Sequence, residues 1–187
     1  MSTGHLHTSV REPLLGTRVS VGVRADTPAA AAAAEVAATT EIERLEALLS
    51  AYRPGSEWSR WRAGAGERVG PEVTAVLALT AQWHAAGGGA FNPLSGVLRT
   101  RWLQAVDDGT VPSRDEMAVL ASGIAHLPYS VDQGSIVRTG DCSRLDLHAI
   151  AKGWIVDRAA ERALAIDGVT EVLVNAGGDL FLSLIHI

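Results

Sequence analysis

Asp146 and Lys152, in the run Asp-Leu-His-Ala-Ile-Ala-Lys152, are the side chains whose types and spacing most directly suggest chemistry. The apolar alternation leading into Asp146 predicts a strand that breaks at Ala149-Ile-Ala151, with a helix opening at Lys152-Gly153. A junction of that kind aims backbone N–H groups and a cation at a docked anion. A second strand, Glu171-Val-Leu-Val-Asn175, runs into Ala176-Gly-Gly-Asp179. A glycine pair at a strand end lets the backbone come close to a ligand, and a plain β-turn is the alternative reading. Two such junctions in succession point to a phosphate or pyrophosphate ligand.

The elements that must position these residues can be read along the chain. Leu14 to Arg24, with Leu15, Val19, Val21 and Val23, has the alternation of a half-buried strand. Thr27-Pro28 reads as the cap and first position of an alanine-rich helix reaching about Ala51, with Ile42, Leu45, Leu48 and Leu49 inside. Arg53-Pro-Gly55 stops it, and the next segment carries Trp58 and Trp61, which could be core or could stack on a flat ligand. Pro71 opens another helix with Val73, Val76, Leu77 and Leu79 inside, and His84 near its end is expected to serve free carbonyls. Arg101 to Ala105 reads as helical, and Ser113 with Glu116 forms a capping box. Gly134 to His148 reads as two strands turning at Thr139-Gly-Asp141. Helices early and strands late predict an α+β layered domain, its N-terminal helices packed on a mixed or antiparallel sheet.

Composition narrows the function classes. The chain has 187 residues, 47% of them hydrophobic, and a net charge of −5, which suits a single domain spanning 1–187 with a substantial core. Within it, residues 1–12 are expected to be a flexible N-terminus and about 183–187 a non-native tail. The mild acidity leaves no electrostatic footprint for nucleic acid. Cys142 is the single cysteine, so neither an internal disulfide nor a thiolate zinc site can form. No secretory leader is visible and no stretch reaches the roughly eighteen apolar residues of a membrane span, so a cytoplasmic protein is the simplest reading. His5, His7 and His126 have no companions at metal-ligand spacing, and the chain has no G-x-S-x-G, Walker or G-x-G-x-x-G sequence.

The pattern D-L-x-A-I-A-K-G-x-x-V-D-R followed by V-N-A-G-G-D resembles the signature of the ApbE family, magnesium-dependent flavin transferases that move FMN from FAD onto a protein threonine. Three upstream pieces resemble the family in the same order: Leu15-Gly-Thr17, Ser50-Ala-Tyr-Arg-Pro-Gly-Ser-Glu-Trp-Ser-Arg60, and Gly89-Ala-Phe-Asn-Pro-Leu-Ser-Gly96. The resemblance covers roughly residues 12 to 182. It implies that Leu15, Tyr52, Ala90, Phe91, Asn92, Asp146 and Lys152 contact FAD, and that the main-chain carbonyl of Ala149 is a magnesium ligand. A lysine is a point-charge phosphate binder, and a hard cation takes carbonyl and carboxylate oxygens, so these roles suit the residue types. The implied partners are FAD, Mg2+ and an acceptor protein that offers a threonine or serine hydroxyl.

Three positions depart from the family pattern. Asn92 stands where aspartate is usual, Leu94 replaces a threonine, and Arg62 replaces the asparagine that commonly follows S-E-x-S-R-x. Family members also run on well past the Gly-Gly-Asp strand, and the catalytic base and remaining metal ligands are expected beyond residue 187. The chain as given is accordingly expected to be inactive in FMN transfer. Two rival readings are hydrolysis of FAD to FMN and AMP, and FAD binding without chemistry.

Overall fold

The computed structural model describes residues 4–66 and 68–184. These fall into two compact units, one made of the described residues up to 48 and from 151 onward, the other of those between 49 and 150. No helix among the described residues is long and apolar enough to cross a membrane.

The first unit is a four-stranded antiparallel sheet with two helices. Strands β1 (His5–Leu14) and β2 (Thr17–Ala25) form a hairpin, and helix α1 (Pro28–Leu49) follows. The chain leaves for the second unit and returns along helix α6 (His148–Leu164), then ends in the hairpin of β5 (Val169–Ala176) and β6 (Asp179–Leu184). Pairing of β2 with β5 joins the two hairpins in the order β1-β2-β5-β6. The sheet is antiparallel throughout, as one of the two expected arrangements, although its first two strands precede every helix.

Period-two alternation drives this layer. Val19, Val21 and Val23 of β2 and Val172 and Val174 of β5 are buried, on the face where Ser9 of β1 donates to Glu35 of α1 at 2.7 Å. Alpha-helical spacing supplies the opposite surface through Ala31, Ala34, Ala38, Ile42 and Leu45, with Leu48 half-buried beside the stripe. Small residues at the start of that stripe let the helix approach the sheet closely. Thr27 caps α1 as expected, its Oγ1 accepting from the Ala30 N–H at 3.1 Å. Full burial of each valine or isoleucine contributes about 1.5–3 kcal/mol, and this doubly anchored core is where most of them sit.

Residues expected to be a flexible N-terminus belong to the sheet instead. His5 to Arg11 pair continuously with Val19 to Ala25, and backbone pairing along an exposed edge needs no apolar alternation. The turn falls at Leu15-Gly16, so the run expected as one strand from Leu14 is split between β1 and β2. At the other end, Ser183 and Leu184 continue β6; residues 185–187 of the expected tail lie outside the described residues.

The second unit holds α2 (Glu57–Arg62), α3 (Pro71–Ala86), α4 (Gly96–Asp107), α5 (Arg114–Gly123) and the hairpin of β3 (Tyr129–Asp132) and β4 (Ser135–Arg138). Trp58 and Trp61 are its centre, each 1% exposed and stacked on one another at 5.8 Å. They are core, and a flavin cannot reach them. Val73, Val76, Leu77, Leu94, Ile136, Cys142 and Leu145 complete that core, and the Tyr129 hydroxyl donates to the Leu77 carbonyl at 2.9 Å. Ser113 caps α5 by accepting from the Glu116 N–H, while the Glu116 carboxylate pairs with Arg101 of α4.

Two local expectations are corrected here. The hairpin turns at Gln133-Gly134, with φ of 45° and 77°, and not at Thr139-Gly-Asp141. Residues 139–147 form no strand, because their backbone groups bond to loop carbonyls such as Pro128 and Pro93. Nε2 of His84, expected to be tied up at a helix end, is buried with no hydrogen-bond partner among the described residues.

Candidate functional site

In the first unit, three of the sequence pieces meet at one end of the sheet. Leu14 pairs with Thr17 and Ala176 with Asp179, so Leu15-Gly16 and Gly177-Gly178 are both two-residue hairpin turns. All four turn residues have positive φ, at 53° and 68° in the first turn and 63° and 108° in the second. That is the handedness that matches strand twist in a tight hairpin. Register of β2 on β5, with Val19 opposite Ala176, sets the two turns side by side. The Gly178 N–H is held by Asn175 Oδ1 at 3.1 Å. The Gly-Gly pair is thus a β-turn, the plainer of its two sequence readings.

Helix α6 enters the same place. A side-chain carbon on Gly153 would lie 3.8 Å from Asp179 Oδ1, which locates Lys152 and Gly153 beside the second turn. Lys152 is half-exposed, and no hydrogen bond or ion pair engages its ammonium among the described residues. Leu15 is half-buried in the neighbouring turn. Arg158, farther along α6, pairs with Glu161 and lies over Trp154, a local role.

The start of α6 differs from expectation. The helix opens at His148, not Lys152, because the Asp146 carboxylate accepts the His148 N–H at 2.8 Å and stands in for a capping group. The chain's own carboxylate thus meets the helix N-terminus, and Lys152 sits in the second turn. Asp146 itself lies in loop, where a strand was expected.

In the second unit, Asp146 is the hub. Its Oδ1 lies 2.5 Å from His148 Nδ1, and the His148 ring stands 5.5 Å from the ring of Tyr52, which is 85% exposed. The hydrogen bond to the His148 ring, helped by the His148 N–H and Arg62 against the effect of burial, holds the Asp146 carboxyl below the usual carboxylate range. The Asp146 N–H donates to the Pro93 carbonyl at 2.8 Å, which ties it to the loop of Ala90, Phe91 and Asn92. Ala90 is exposed and Phe91 half-buried in the loop that follows α3. His148 escaped the sequence reading because it falls on a variable position of the motif; an imidazole two residues after an acid, at a helix start, is the signal that marks it.

Each departure from the family pattern has a structural task in this unit. Asn92 Nδ2 donates to the Ile124 carbonyl at 2.8 Å, while its Oδ1 accepts the Leu94 N–H at 2.8 Å. A carboxylate could do only the second. Leu94 is buried in the core. Arg62 donates to the carbonyls of Leu145 and Ala51. The serines of the Ser50 segment are structural too: Ser56 and Ser59 both donate to the Ser50 carbonyl, and Ser56 caps α2.

The serine-rich loop, the Asn92 loop and Asp146 belong to the second unit; Leu15, the glycine turn and Lys152 belong to the first. Ala149 sits in the first turn of α6, three residues before Lys152. Among the described residues, no group of three or more His, Cys, Asp or Glu side chains could hold a metal ion.

Comparison with known proteins gives a consistent answer. The model of the ApbE family matches residues 15–183. A protein of Treponema pallidum (strain Nichols) named "FAD:protein FMN transferase" is 31% identical over 185 residues, covering 91% of this chain and 50% of its own length. Among solved structures, the flavin transferase ApbE from Vibrio cholerae (H257G mutant) superposes with a TM-score of 0.75 at 20% identity, over 96% of this chain and 63% of that one. The apo form of Pseudomonas stutzeri flavinyl transferase ApbE gives 0.74 at 24% identity, over 96% and 59%. Both likenesses concern the fold. The chain thus spans about half the length of the curated relative it matches. With a family model covering nearly all of its described residues and the family's motifs assembled at two local sites, the chain belongs to the ApbE family.

Proposed function

We propose that the intact protein, of which these residues form part of one flavin transferase domain, transfers FMN from FAD to a threonine or serine hydroxyl of an acceptor protein. In this reaction the hydroxyl oxygen attacks the FMN phosphorus of the pyrophosphate. A phosphorus–oxygen bond forms to the acceptor, the bond to the AMP phosphate breaks, AMP leaves, and the hydroxyl proton passes to a base. The barrier to such a step falls chiefly through positioning and neutralising phosphate charge.

The observation that carries this reading is the ammonium of Lys152, unengaged among the described residues, beside the Gly177-Gly178 turn. A pyrophosphate needs close backbone approach and a cation, and both stand together there. On this reading Leu15, Tyr52, Ala90, Phe91, Asn92, Asp146 and Lys152 contact FAD, as the resemblance implies. Tyr52 offers an exposed aromatic ring on which a flat ring could stack. The Treponema relative's name supports the same activity.

Magnesium dependence is part of the proposal as the resemblance implies it. The Ala149 carbonyl would give one oxygen to an ion that takes about six. No step above is routed through the ion. The cytoplasmic placement made from the sequence is likewise part of this proposal, and fractionation of cells making the intact protein tests it.

Incubation of the intact protein with FAD, magnesium and acceptor protein is the deciding experiment. Covalent flavin on the acceptor with stoichiometric AMP is expected. AMP and free FMN without labelled acceptor would make it a pyrophosphatase, and FAD binding with neither product would make it a binding module. Tighter binding of ATP than of FAD would overturn the flavin reading altogether.

A further inference from the structure

Arg62 stands where the family pattern has asparagine, and it makes contacts an asparagine could not. From the last turn of α2, its Nη1 donates to the Leu145 carbonyl at 3.3 Å and its Nη2 to the Ala51 carbonyl at 3.4 Å. Those carbonyls belong to the peptide links that lead into Asp146 and Tyr52. One planar fork therefore bridges two segments far apart in sequence, each ending in a residue assigned to FAD. The amides on the far side of both links are also held: Asp146 N–H by the Pro93 carbonyl at 2.8 Å, Tyr52 N–H by Ser50 Oγ at 3.2 Å.

The guanidinium is itself steadied. It lies 5.8 Å from the ring centroid of Trp58, a residue fixed in the core. It also borders a cavity of about 300 Å³ whose wall includes Thr100, Arg144 and Asp146. An asparagine at 62 carries its amide on a single methylene, too short to serve both carbonyls from the same backbone position.

The geometry points to Arg62 as a positioning residue for FAD, a clamp that fixes Tyr52 and Asp146 relative to one another before the ligand arrives. This rests on the flavin reading proposed above. Arg62 touches no reacting atom in this assignment; it acts through the aromatic ring and the carboxylate it holds in register. A site built this way binds FAD without first ordering two loops, and ordering costs are what preorganisation removes.

The test uses Arg62→Met, Arg62→Asn and Arg62→Lys in the intact protein. Three quantities are read: amide hydrogen exchange at Tyr52 and Asp146 without ligand, kcat and KM for FAD in transfer, and the thermal midpoint. With methionine or asparagine, both amides are expected to exchange about tenfold faster and KM for FAD to rise about tenfold, the loss that goes with one or two hydrogen bonds. Lysine should recover part of each, since a single ammonium reaches one carbonyl at a time. Unchanged exchange at both amides overturns the clamp. A lowered midpoint with unchanged KM makes Arg62 a folding residue and overturns it too. If the wild-type protein does not bind FAD, the functional reading fails; faster exchange in the variants would then assign Arg62 to loop stability alone.

Discussion

Thr17 Oγ1 fills the space into which residue 177 would extend: a side-chain carbon on Gly177 would stand 2.5 Å from it. The two hairpin turns of the first unit touch through this pair, so the close packing of the Leu-Gly-Thr and Gly-Gly segments depends on one residue having no side chain. Gly177 also has φ of 63°, which an L side chain adopts only with strain.

Gly177→Ala should therefore destabilise the intact protein by about 1–3 kcal/mol, from backbone strain and the clash together. Combining it with Thr17→Gly should return the steric part and leave the backbone part. Urea denaturation of the three variants separates the two. An alanine variant as stable as the wild type would mean the turns are not packed in this way.

Lys152→Ala should weaken FAD binding by about 1–3 kcal/mol, the usual cost of a lost charge-assisted hydrogen bond. Stability should barely change, because no partner of the ammonium is left stranded among the described residues. Lys152→Arg should rescue only in part, since a planar fork does not fill a point-charge site. Flavin fluorescence titration gives the affinities; equal affinity in the alanine variant would remove Lys152 from the site.

Asn92→Asp restores the family's residue and should nonetheless cost stability here. The carboxylate keeps the bond from the Leu94 N–H but turns an acceptor toward the Ile124 carbonyl. A loss of about 1–3 kcal/mol is expected near neutral pH. Acidification should relieve it, because a protonated carboxyl can donate to that carbonyl. Denaturation midpoints that fall equally at neutral and acid pH would contradict this account of the substitution.

What the sequence made legible follows from how local the governing physics is. The Thr27 cap, the buried stripe through Ile42 and Leu45, and the Ser113 cap depend on a few neighbouring residues and appear as read. The family motifs led to two candidate sites because their glycines mark turns of the backbone. Edge strand β1 was illegible, since its side chains are mostly exposed and its partner strand supplies the order. The turn at Gln133 was hidden because glutamine rarely takes a positive φ. The early start of α6 came from the Asp146 carboxylate, which resembled a strand residue until its hydrogen bond to His148 was visible. The task of Arg62 spans 83 positions, and no spacing rule reaches that far.

A last prediction concerns acid stability and lies in the first unit. Glu41 of α1 has its side chain only 10% exposed and accepts both arms of the Arg44 guanidinium, at 3.0 and 2.9 Å, with Arg162 of α6 at 3.9 Å. The hydrogen bonds from Arg44 outweigh burial and hold the Glu41 carboxyl below its ordinary range. A carboxyl depressed in the folded state binds fewer protons there than in the unfolded chain, so its contribution to stability rises with pH. That contribution is complete above the ordinary carboxylate range and is lost as pH falls through the depressed value. Wild-type protein should thus exceed Glu41→Gln in stability at neutral pH, and the difference should shrink as pH drops below about 4. Since the Arg44 side chain is 43% exposed, added salt should shrink it as well. Urea denaturation of the pair across pH gives the difference directly, and one that stays constant from neutral to strongly acid conditions would show that the charge on Glu41 does not stabilise the fold.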